Sequence, residues 1–340
     1  WPRTCVFLTM GTFSTVLVTY PPATAWVLIG MVFLSLAMSL VWELRAFCRY
    51  ICPINAFVGL YSMAGKLALR YADSAVCARC TVHTCQRGNR KGWACPYGLC
   101  VEDIEENNDC GLCTECVKSC AYDNVTLRSQ PFAHEQRLRG SDEAFLAMAM
   151  LTLASVYCIV HLGPWPEVRD SVNIIDKDNW GLFGVFAAVL WGSALVGLPA
   201  IMWFLAGAGK WLSGVPDRTW SLLVASSGGL VPIGLMLWVA FAVPMLFVNV
   251  SFIKQSLSDP FGWGWNLFGV RSIPWHQLFP DGVPWIQVGC VLIGLAYSLR
   301  NAWRIWLDIT HKPGAALRGM LPIGALLMAF SGWFIWFFSD

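Results

Sequence analysis

The chain has 340 residues, of which 56% are hydrophobic and only 13% are charged. Soluble domains average about 25% charged residues, so this composition excludes an ordinary soluble protein and indicates a chain that lies in a lipid bilayer. The formal net charge of +2 gives no sign of a nucleic-acid partner.

Seven apolar segments have about the length that a helix needs to cross a bilayer, roughly 17–25 residues. They are residues 5–20, 25–44, 145–162, 180–206, 222–250, 284–306 and 320–338. The first is the shortest, and Pro21-Pro22 makes the turn into the second. The predicted fold class is an all-α polytopic membrane protein with about seven transmembrane helices. Two of them lie in residues 1–47 and five in residues 144–340.

An inserted region, residues 48–143, separates the second and third apolar segments and holds eleven of the fourteen cysteines. Within it, C-x2-C-x2-C-x3-C has the spacing of a ferredoxin 4Fe–4S loop, whose first three thiolates reach one cluster while the fourth often binds a second. We therefore expect Cys110, Cys113 and Cys116 to share one cluster and Cys120 to reach another. The region is predicted to be a loop-rich, ferredoxin-like iron–sulfur domain.

The other cysteines of this region form weaker patterns. Cys77 and Cys80 with Cys85 resemble a stretched three-ligand loop, and Cys95, which precedes a proline, resembles a closing C-P element. Each cluster takes four thiolates, so we predict two 4Fe–4S clusters. The remaining cysteines would form a third metal site or stay free thiols, and Cys100 is the weakest candidate ligand.

A disulfide framework and a structural zinc site are the alternatives. Disulfides suit small secreted domains, whereas this region is joined to a large apolar chain. Zinc prefers two C-x2-C pairs, which Cys77 with Cys80 and Cys110 with Cys113 could supply. Because zinc would leave several other cysteines without a role, the pattern favours iron–sulfur binding.

Residues 53–70 are predicted to form an amphipathic helix in the membrane interface, with Phe57 and Leu60 on the apolar side. A core helix of the cluster domain is equally consistent with this periodicity.

Basic residues indicate the orientation of the chain. With seven crossings, the cysteine region shares a side with Arg3, Arg45, Arg49, Lys210, Arg218, Arg300, Arg304, Lys312 and Arg318. The opposite side has Arg169, Lys177, Lys254 and Arg271. Lys and Arg concentrate on the cytoplasmic side, so the cluster domain is predicted to face the cytoplasm of a prokaryotic inner membrane, where thiols stay reduced. Loops 163–179 and 251–283 would then be extracytoplasmic.

Other cofactors are not indicated. The chain has no C-x-x-C-H sequence for a c-type haem, and no glycine-rich fingerprint that precedes a helix for a nucleotide. His161 is the one histidine near the end of an apolar segment, which disfavours a bis-histidine haem. Trp275 and His276 lie in a tryptophan-rich loop that would form an interfacial aromatic belt, a docking surface or the rim of a quinone pocket.

The stretch Cys48-Arg-Tyr-Ile-Cys52-Pro-Ile-Asn-Ala resembles the C-R-Y-x-C-P-x-x-A sequence of membrane polyferredoxins. That group includes quinol-dehydrogenase membrane subunits of periplasmic nitrate reduction, regulators of nitrous oxide reductase and copper-reducing assembly factors. The resemblance implies two 4Fe–4S clusters and electron exchange between the quinone pool and other redox subunits of a membrane complex. The alternative that it implies is a maturation factor that reduces a metal or a thiol.

The resemblance also implies cluster ligands. It carries over most directly to Cys48, Cys52, Cys77, Cys80, Cys110, Cys113, Cys116 and Cys120. Cys85 and Cys95 complete the predicted ligand set, and no catalytic residue is predicted.

Overall fold

The protein is represented by a computed structural model that describes residues 1–108, 110–134, 138–270, 274 and 277–339. Arg271, Trp275 and His276 therefore lie outside the described residues. The predicted roles of that loop in docking or quinone binding stay predictions.

Most of the described chain is helical. The first helices are α1 (Pro2–Thr12), α2 (Ser14–Thr19) and α3 (Pro21–Val41). The cysteine region contains α4 (Ala46–Tyr50), α5 (Pro53–Ser62), β1 (Leu67–Tyr71), α6 (Ser74–Ala78), α7 (Thr84–Arg87), a 3-10 turn (Val101–Asp103), α8 (Glu115–Ser119) and β2 (Val125–Ser129).

The second half of the chain begins with α9 (Ser141–Tyr157), which continues into a π-helical turn (Cys158–Leu162). The elements that follow are α10 (Pro166–Val172), α11 (Ile174–Lys177), α12 (Trp180–Gly192), a second π-helical turn (Ser193–Gly197), α13 (Leu198–Ser213), α14 (Thr219–Ser227), α15 (Leu230–Val248), α16 (Val250–Ser258), a 3-10 turn (Pro280–Gly282), α17 (Val283–Thr310) and α18 (Pro313–Ser339).

Six helical segments of the described chain are long and apolar enough to cross a membrane. They are Pro21–Val41, Ser141–Leu162, Trp180–Ser213, Thr219–Val248, Pro280–Thr310 and Pro313–Ser339. The prediction of a mostly helical, multi-pass membrane protein is confirmed, but the count of seven is not. The predicted first crossing, residues 5–20, is divided between α1 and α2 because the helix is interrupted at Phe13, and neither piece reaches the length of a span.

Helix α1 nevertheless lies along a membrane helix. The ring of Trp1 is 4.8 Å from that of Phe145, near the start of α9. At the other end of α1, the Tyr157 hydroxyl donates a hydrogen bond of 3.1 Å to the Gly11 carbonyl. These two contacts show that α1 runs parallel to α9 along most of its length.

The bundle core lies among α9, α13, α15, α17 and α18. Trp306 is completely buried there, against Gly209 and Gly319. A Cβ atom on either glycine would lie 2.8 Å or less from the indole ring, so these positions accept only glycine without a rearrangement. Helix α3, by contrast, buries none of its residues against the described chain.

Helix α5 corrects the predicted helix over residues 53–70. It ends at Ser62, and Leu67–Tyr71 form β1, which pairs antiparallel with β2 from Leu67↔Ser129 to Tyr71↔Val125. Residues 67–71 form a strand because they pair with β2, whose backbone groups would lack these partners if the helix of α5 continued. The buried face of α5 packs on α1, α9 and α15, and its Phe57 ring lies 5.6 Å from that of Trp238.

A buried polar contact joins the cysteine domain to the bundle. The Asn108 side chain donates a hydrogen bond of 2.6 Å to Glu143, in the first turn of α9. The second oxygen of the same carboxylate accepts the backbone N–H of Arg139 at 2.8 Å. Glu143 is only 5% exposed, so this contact holds the domain at the end of a membrane helix.

Candidate iron–sulfur centre

The cysteine domain contains two cavities lined by thiols, each partly open to solvent. The first, which we call the Cys77 cavity, is lined by Cys77, Cys80, Cys85, Cys100 and Cys120. The second, the Cys110 cavity, is lined by Cys95, Cys110, Cys113 and Cys116. Val101 lines both cavities and is almost fully buried, so one apolar side chain lies between them.

Local backbone geometry brings three thiols to the Cys110 cavity. Leu112 and Thr114 adopt left-handed conformations, with φ of 48° and 61°, which are uncommon for residues other than glycine. They curl the chain between Cys110 and Thr114 into a tight loop, and α8, which carries Cys116, begins directly after it. The short spacing therefore places all three thiols of this loop around one space, as the ferredoxin pattern predicts.

Cys95 provides the fourth thiol of this cavity from a separate loop. Its backbone N–H donates to the Gln86 carbonyl at 2.9 Å, and its carbonyl accepts from Gly98 at 3.0 Å. These hydrogen bonds close the Cys95–Gly98 turn and hold it against α7. The sequence indicates a closing element at Cys95 but does not assign it to a cluster.

The Cys77 cavity collects its thiols from several elements. Cys77 lies in α6, whose first turn is capped by the Asp73 carboxylate, and Cys85 lies in α7. Cys120 is the residue directly after α8, and its thiol lines the Cys77 cavity rather than the Cys110 cavity. This crossing between cavities is what the fourth cysteine of a ferredoxin loop is expected to do.

Cys100 lies in the Cys77 cavity, although its sequence context makes it the weakest candidate. Its sulfur is 3.9 Å from the sulfur of Cys85 and 3.6 Å from Nδ1 of His83. The cavity thus offers five thiols where a cluster takes four, and Cys100 is placed to alternate with Cys85. Sequence reasoning missed this because Cys100 belongs to no short spacing motif.

The predicted ligands Cys48 and Cys52 line neither cavity. Cys48 lies in α4, and Cys52 is the residue before α5. A left-handed turn at Leu44 and Arg45 connects α3 to α4, and the Leu44 side chain packs against Gly98. The segment that carries Cys48 and Cys52 therefore touches the Cys95–Gly98 turn, although neither thiol lines one of the two cavities.

Four thiols of the cavities resist ionisation. Burial, with a smaller contribution from neighbouring cysteines, raises the pKa of Cys85 to about 11 and that of Cys116 to about 12. Burial also raises the pKa values of Cys77 and Cys110. At neutral pH these groups are neutral thiols, so binding of iron has to displace their protons.

The chemistry of these donors fits 4Fe–4S clusters. Each cavity surrounds an empty space with at least four thiols, and Leu69, Ile104 and Val125 add apolar walls. Sets of four cysteines in a partly dry environment are the usual setting of a cubane cluster. Within the described residues, no three ligating side chains come close enough to hold a lone metal ion.

A third cavity lies among the membrane helices. It has about 800 Å³ of empty space, part of it open, and is lined by residues of α9, α13, α15, α18 and the π-helical turn Ser193–Gly197. Its walls are apolar except for hydroxyl groups such as those of Thr152 and Ser155, which donate to carbonyls of their own helix. The lining suits a hydrocarbon chain.

Comparison with known proteins adds a family assignment for part of the chain. Residues 24–70 match the family model of a 4Fe-4S binding domain. The match covers most of α3, all of α4 and α5 and most of β1, and it includes Cys48 and Cys52. The nine other cysteines of the region lie beyond it.

Two further comparisons are less specific. Over 82 residues the chain is 29% identical to an uncharacterized protein of Methanocaldococcus jannaschii, a match that covers 24% of this chain and 30% of that protein. The chain thus spans less than a third of the length of this curated relative. No solved structure matches. Together with the membrane helices, the matched domain indicates a multi-pass membrane protein that binds an iron–sulfur cluster and is suited to electron transfer.

Proposed function

We propose that this protein relays single electrons between the quinone pool and a redox partner through two 4Fe–4S clusters. The observation that carries this proposal is the pair of thiol-lined cavities on either side of Val101. One cluster would be held by Cys95 with the three thiols of the Cys110 loop. The other would be held by Cys77, Cys80, Cys120 and either Cys85 or Cys100. When bound, the clusters supply the one-electron chemistry.

The residues of the chain provide the setting for that chemistry. The thiolates hold the iron, and the buried side chains of Leu69, Val101 and Ile104 limit the access of water. Burial and hydrogen bonds to sulfur then determine the potentials of the two clusters. Because Val101 lines both cavities, clusters bound there would be neighbours within one domain, which suits electron transfer between them.

The charge distribution supports a cytoplasmic position for the cluster domain. Arg45 and Arg49 follow α3 directly, and Lys210 and Arg304 lie near the ends of α13 and α17. Helices α1 and α2 together would make the seventh crossing, since α1 runs beside α9 and Phe13 packs against Phe183 of α12 at 5.4 Å. This arrangement gives the N-terminus and the cluster domain the same side, which is the more basic one.

The apolar cavity among α9, α13, α15 and α18 is the proposed position of a quinone's isoprenoid chain. Its nonpolar lining and its size within the membrane bundle suit a long hydrocarbon. The bilayer and a quinone are therefore proposed partners, along with redox subunits of a membrane complex.

Electron paramagnetic resonance of the reduced protein in detergent tests this proposal. We expect two signals from 4Fe–4S clusters, with iron and sulfide contents that match two clusters, and oxidation of both by a soluble quinone analogue. A protein that is purified without oxygen and lacks cluster signals would refute the proposal. Clusters that do not exchange electrons with the quinone would refute only the quinone part.

A maturation factor is the second candidate, and the location of Cys48 and Cys52 favours it. These two thiols lie outside both cavities, in the segment that matches the 4Fe-4S binding domain family. Two thiols in a C-x3-C spacing are able to bind a soft metal ion such as copper, and the proposed clusters would supply the electron that reduces Cu(II) to Cu(I). A variant with both residues changed to Ser separates the candidates. A relay through the two cavities predicts unchanged cluster signals and quinone turnover, whereas a maturation factor predicts loss of metal reduction with the signals intact.

A further inference from the structure

Asn124 touches two of the sulfur atoms of the Cys77 cavity. Its backbone N–H donates a hydrogen bond to Sγ of Cys120 at 3.3 Å, and its side-chain Nδ2 donates to Sγ of Cys77 at 3.3 Å. The residue is only 6% exposed. One residue thus directs two N–H groups at two proposed ligands of the same cluster.

Further hydrogen bonds hold Asn124 in this position. Its carbonyl accepts the backbone N–H of Ala72 at 2.7 Å, and its Oδ1 accepts that of Asp73 at 2.9 Å. Its Nδ2 also donates to the Asp73 carbonyl at 2.8 Å. Asp73 caps α6, which carries Cys77, and Asn124 directly precedes β2. The two donors are therefore fixed by the same elements that place the sulfurs.

We propose that Asn124 is a positioning residue that raises the reduction potential of the cluster in the Cys77 cavity. This inference rests on the proposed binding of two clusters. Reduction adds one electron, and the added negative charge is shared with the thiolate sulfurs. An N–H donor stabilises the more negative sulfur more strongly, so it favours the reduced state. This contact would therefore make the cluster of the Cys77 cavity easier to reduce than it would be without Asn124.

Glu102 should change the reduction potential of the same cluster in the opposite direction. Glu102 lines the same cavity, and the negative charge of its carboxylate disfavours additional negative charge on a cluster held there. Its side chain is exposed, so solvent weakens the effect. Asn124 and Glu102 therefore act on one cluster in opposite directions.

The test is a redox titration of the full chain, followed by electron paramagnetic resonance, with Asn124→Asp. This change keeps an oxygen to accept the N–H of Asp73 but replaces the donor to Cys77 with an acceptor. We expect about a tenfold loss in the reduction equilibrium of one cluster, which corresponds to a potential about 59 mV lower. The other cluster keeps its potential. Glu102→Gln should shift the same cluster upward by a smaller amount.

Asn89→Asp is the matched control, because it makes the same chemical change in a neighbouring loop. The Asn89 side chain bonds the backbone atoms of Lys91, Gly92 and Ser119. It should leave both potentials unchanged. If Asn124→Asp does not retain its clusters, Asn124→Ser replaces it, since Ser keeps the backbone donor to Cys120 and loses the reach to Cys77.

The outcomes separate this inference from the proposed function. A wild-type protein without cluster signals refutes the proposed function itself. If the wild type shows two clusters and both Asn124 variants keep both potentials, only the inference about Asn124 is wrong. Loss of one cluster in both variants, with the other cluster at its normal potential, assigns Asn124 to assembly of the site and overturns a role in tuning.

Discussion

The membrane bundle and the cysteine domain are stabilised in different ways. The bundle buries a continuous core of large apolar side chains across α9, α13, α15, α17 and α18. The described part of the cysteine domain has a small apolar cluster of Leu69, Val101, Ile104 and Val125, and several thiols pack directly on it. Its core is therefore completed by the groups that would hold iron, whereas the bundle needs no cofactor for its packing.

Removal of iron should produce the largest difference between the cysteine domain and the membrane bundle. We expect a chelator under reducing conditions to unfold the cysteine domain while the membrane helices keep their structure. Trypsin sites such as Arg79, Arg87 and Lys118 would become sensitive, and helical circular dichroism would remain high. A domain that stays resistant to trypsin without iron would show that its small core is sufficient.

Substitution of single cysteines should have a smaller effect, and its influence on cluster binding should differ between the two cavities. Cys116→Ala removes one of the four thiols in the Cys110 cavity, so we expect loss of one cluster and of about half of the iron. Cys100→Ala should keep both clusters, because the sulfur of Cys85 lies 3.9 Å from that of Cys100 and remains available as a ligand. Iron analysis and resonance spectra of the two variants make the comparison. Loss of a cluster in Cys100→Ala would instead make Cys100 an obligatory ligand.

The contact between the domain and the bundle should have a moderate effect. Glu143→Ala leaves the Asn108 amide without its carboxylate partner and should cost about 2 kcal/mol, the typical value for a buried hydrogen bond to a charged group. Thermal unfolding monitored by cluster absorbance measures this cost. Asp142→Ala is the control, since it removes the same charge one residue earlier at a more exposed position. Equal effects of the two changes would argue against a docking role for Glu143.

The smallest expected effect concerns the apolar cavity of the bundle. Gly197→Leu should fill part of it and raise the KM for a long-chain quinol by on the order of threefold to tenfold. The cluster signals should not change. Gly184→Leu, whose added side chain meets open space, is the control. If a short-chain quinol is affected as strongly as a long-chain one, the cavity does not hold the isoprenoid chain.

Much of the candidate site was predictable from short spacings. Residues that are two or three positions apart are brought together by the local backbone, which is why Cys110, Cys113 and Cys116 meet around one cavity. The same rule predicted that Cys120 leaves them. By contrast, Cys48 and Cys52, whose C-x3-C spacing resembles part of a cluster motif, line neither cavity, so their role as cluster ligands stays a prediction.

The sequence could not reveal long-range neighbours. Cys95 joins the Cys110 loop, and Cys100 joins Cys85, through turns whose direction no spacing encodes. Asn124 is an ordinary polar residue in the sequence and becomes noticeable only through its two bonds to sulfur. Such contacts depend on how separate loops fold over one another.

By itself the sequence determined that this is a multi-pass helical membrane protein with an iron–sulfur region, because apolar length and cysteine spacing are local properties of the chain. Only the tertiary structure decided that α5 stops at Ser62, since β1 finds its hydrogen-bond partners in β2, more than fifty residues away. It also decided the grouping of nine thiols into two adjacent cavities. That grouping depends on contacts between loops that are distant in sequence, and short cysteine spacings do not encode such contacts.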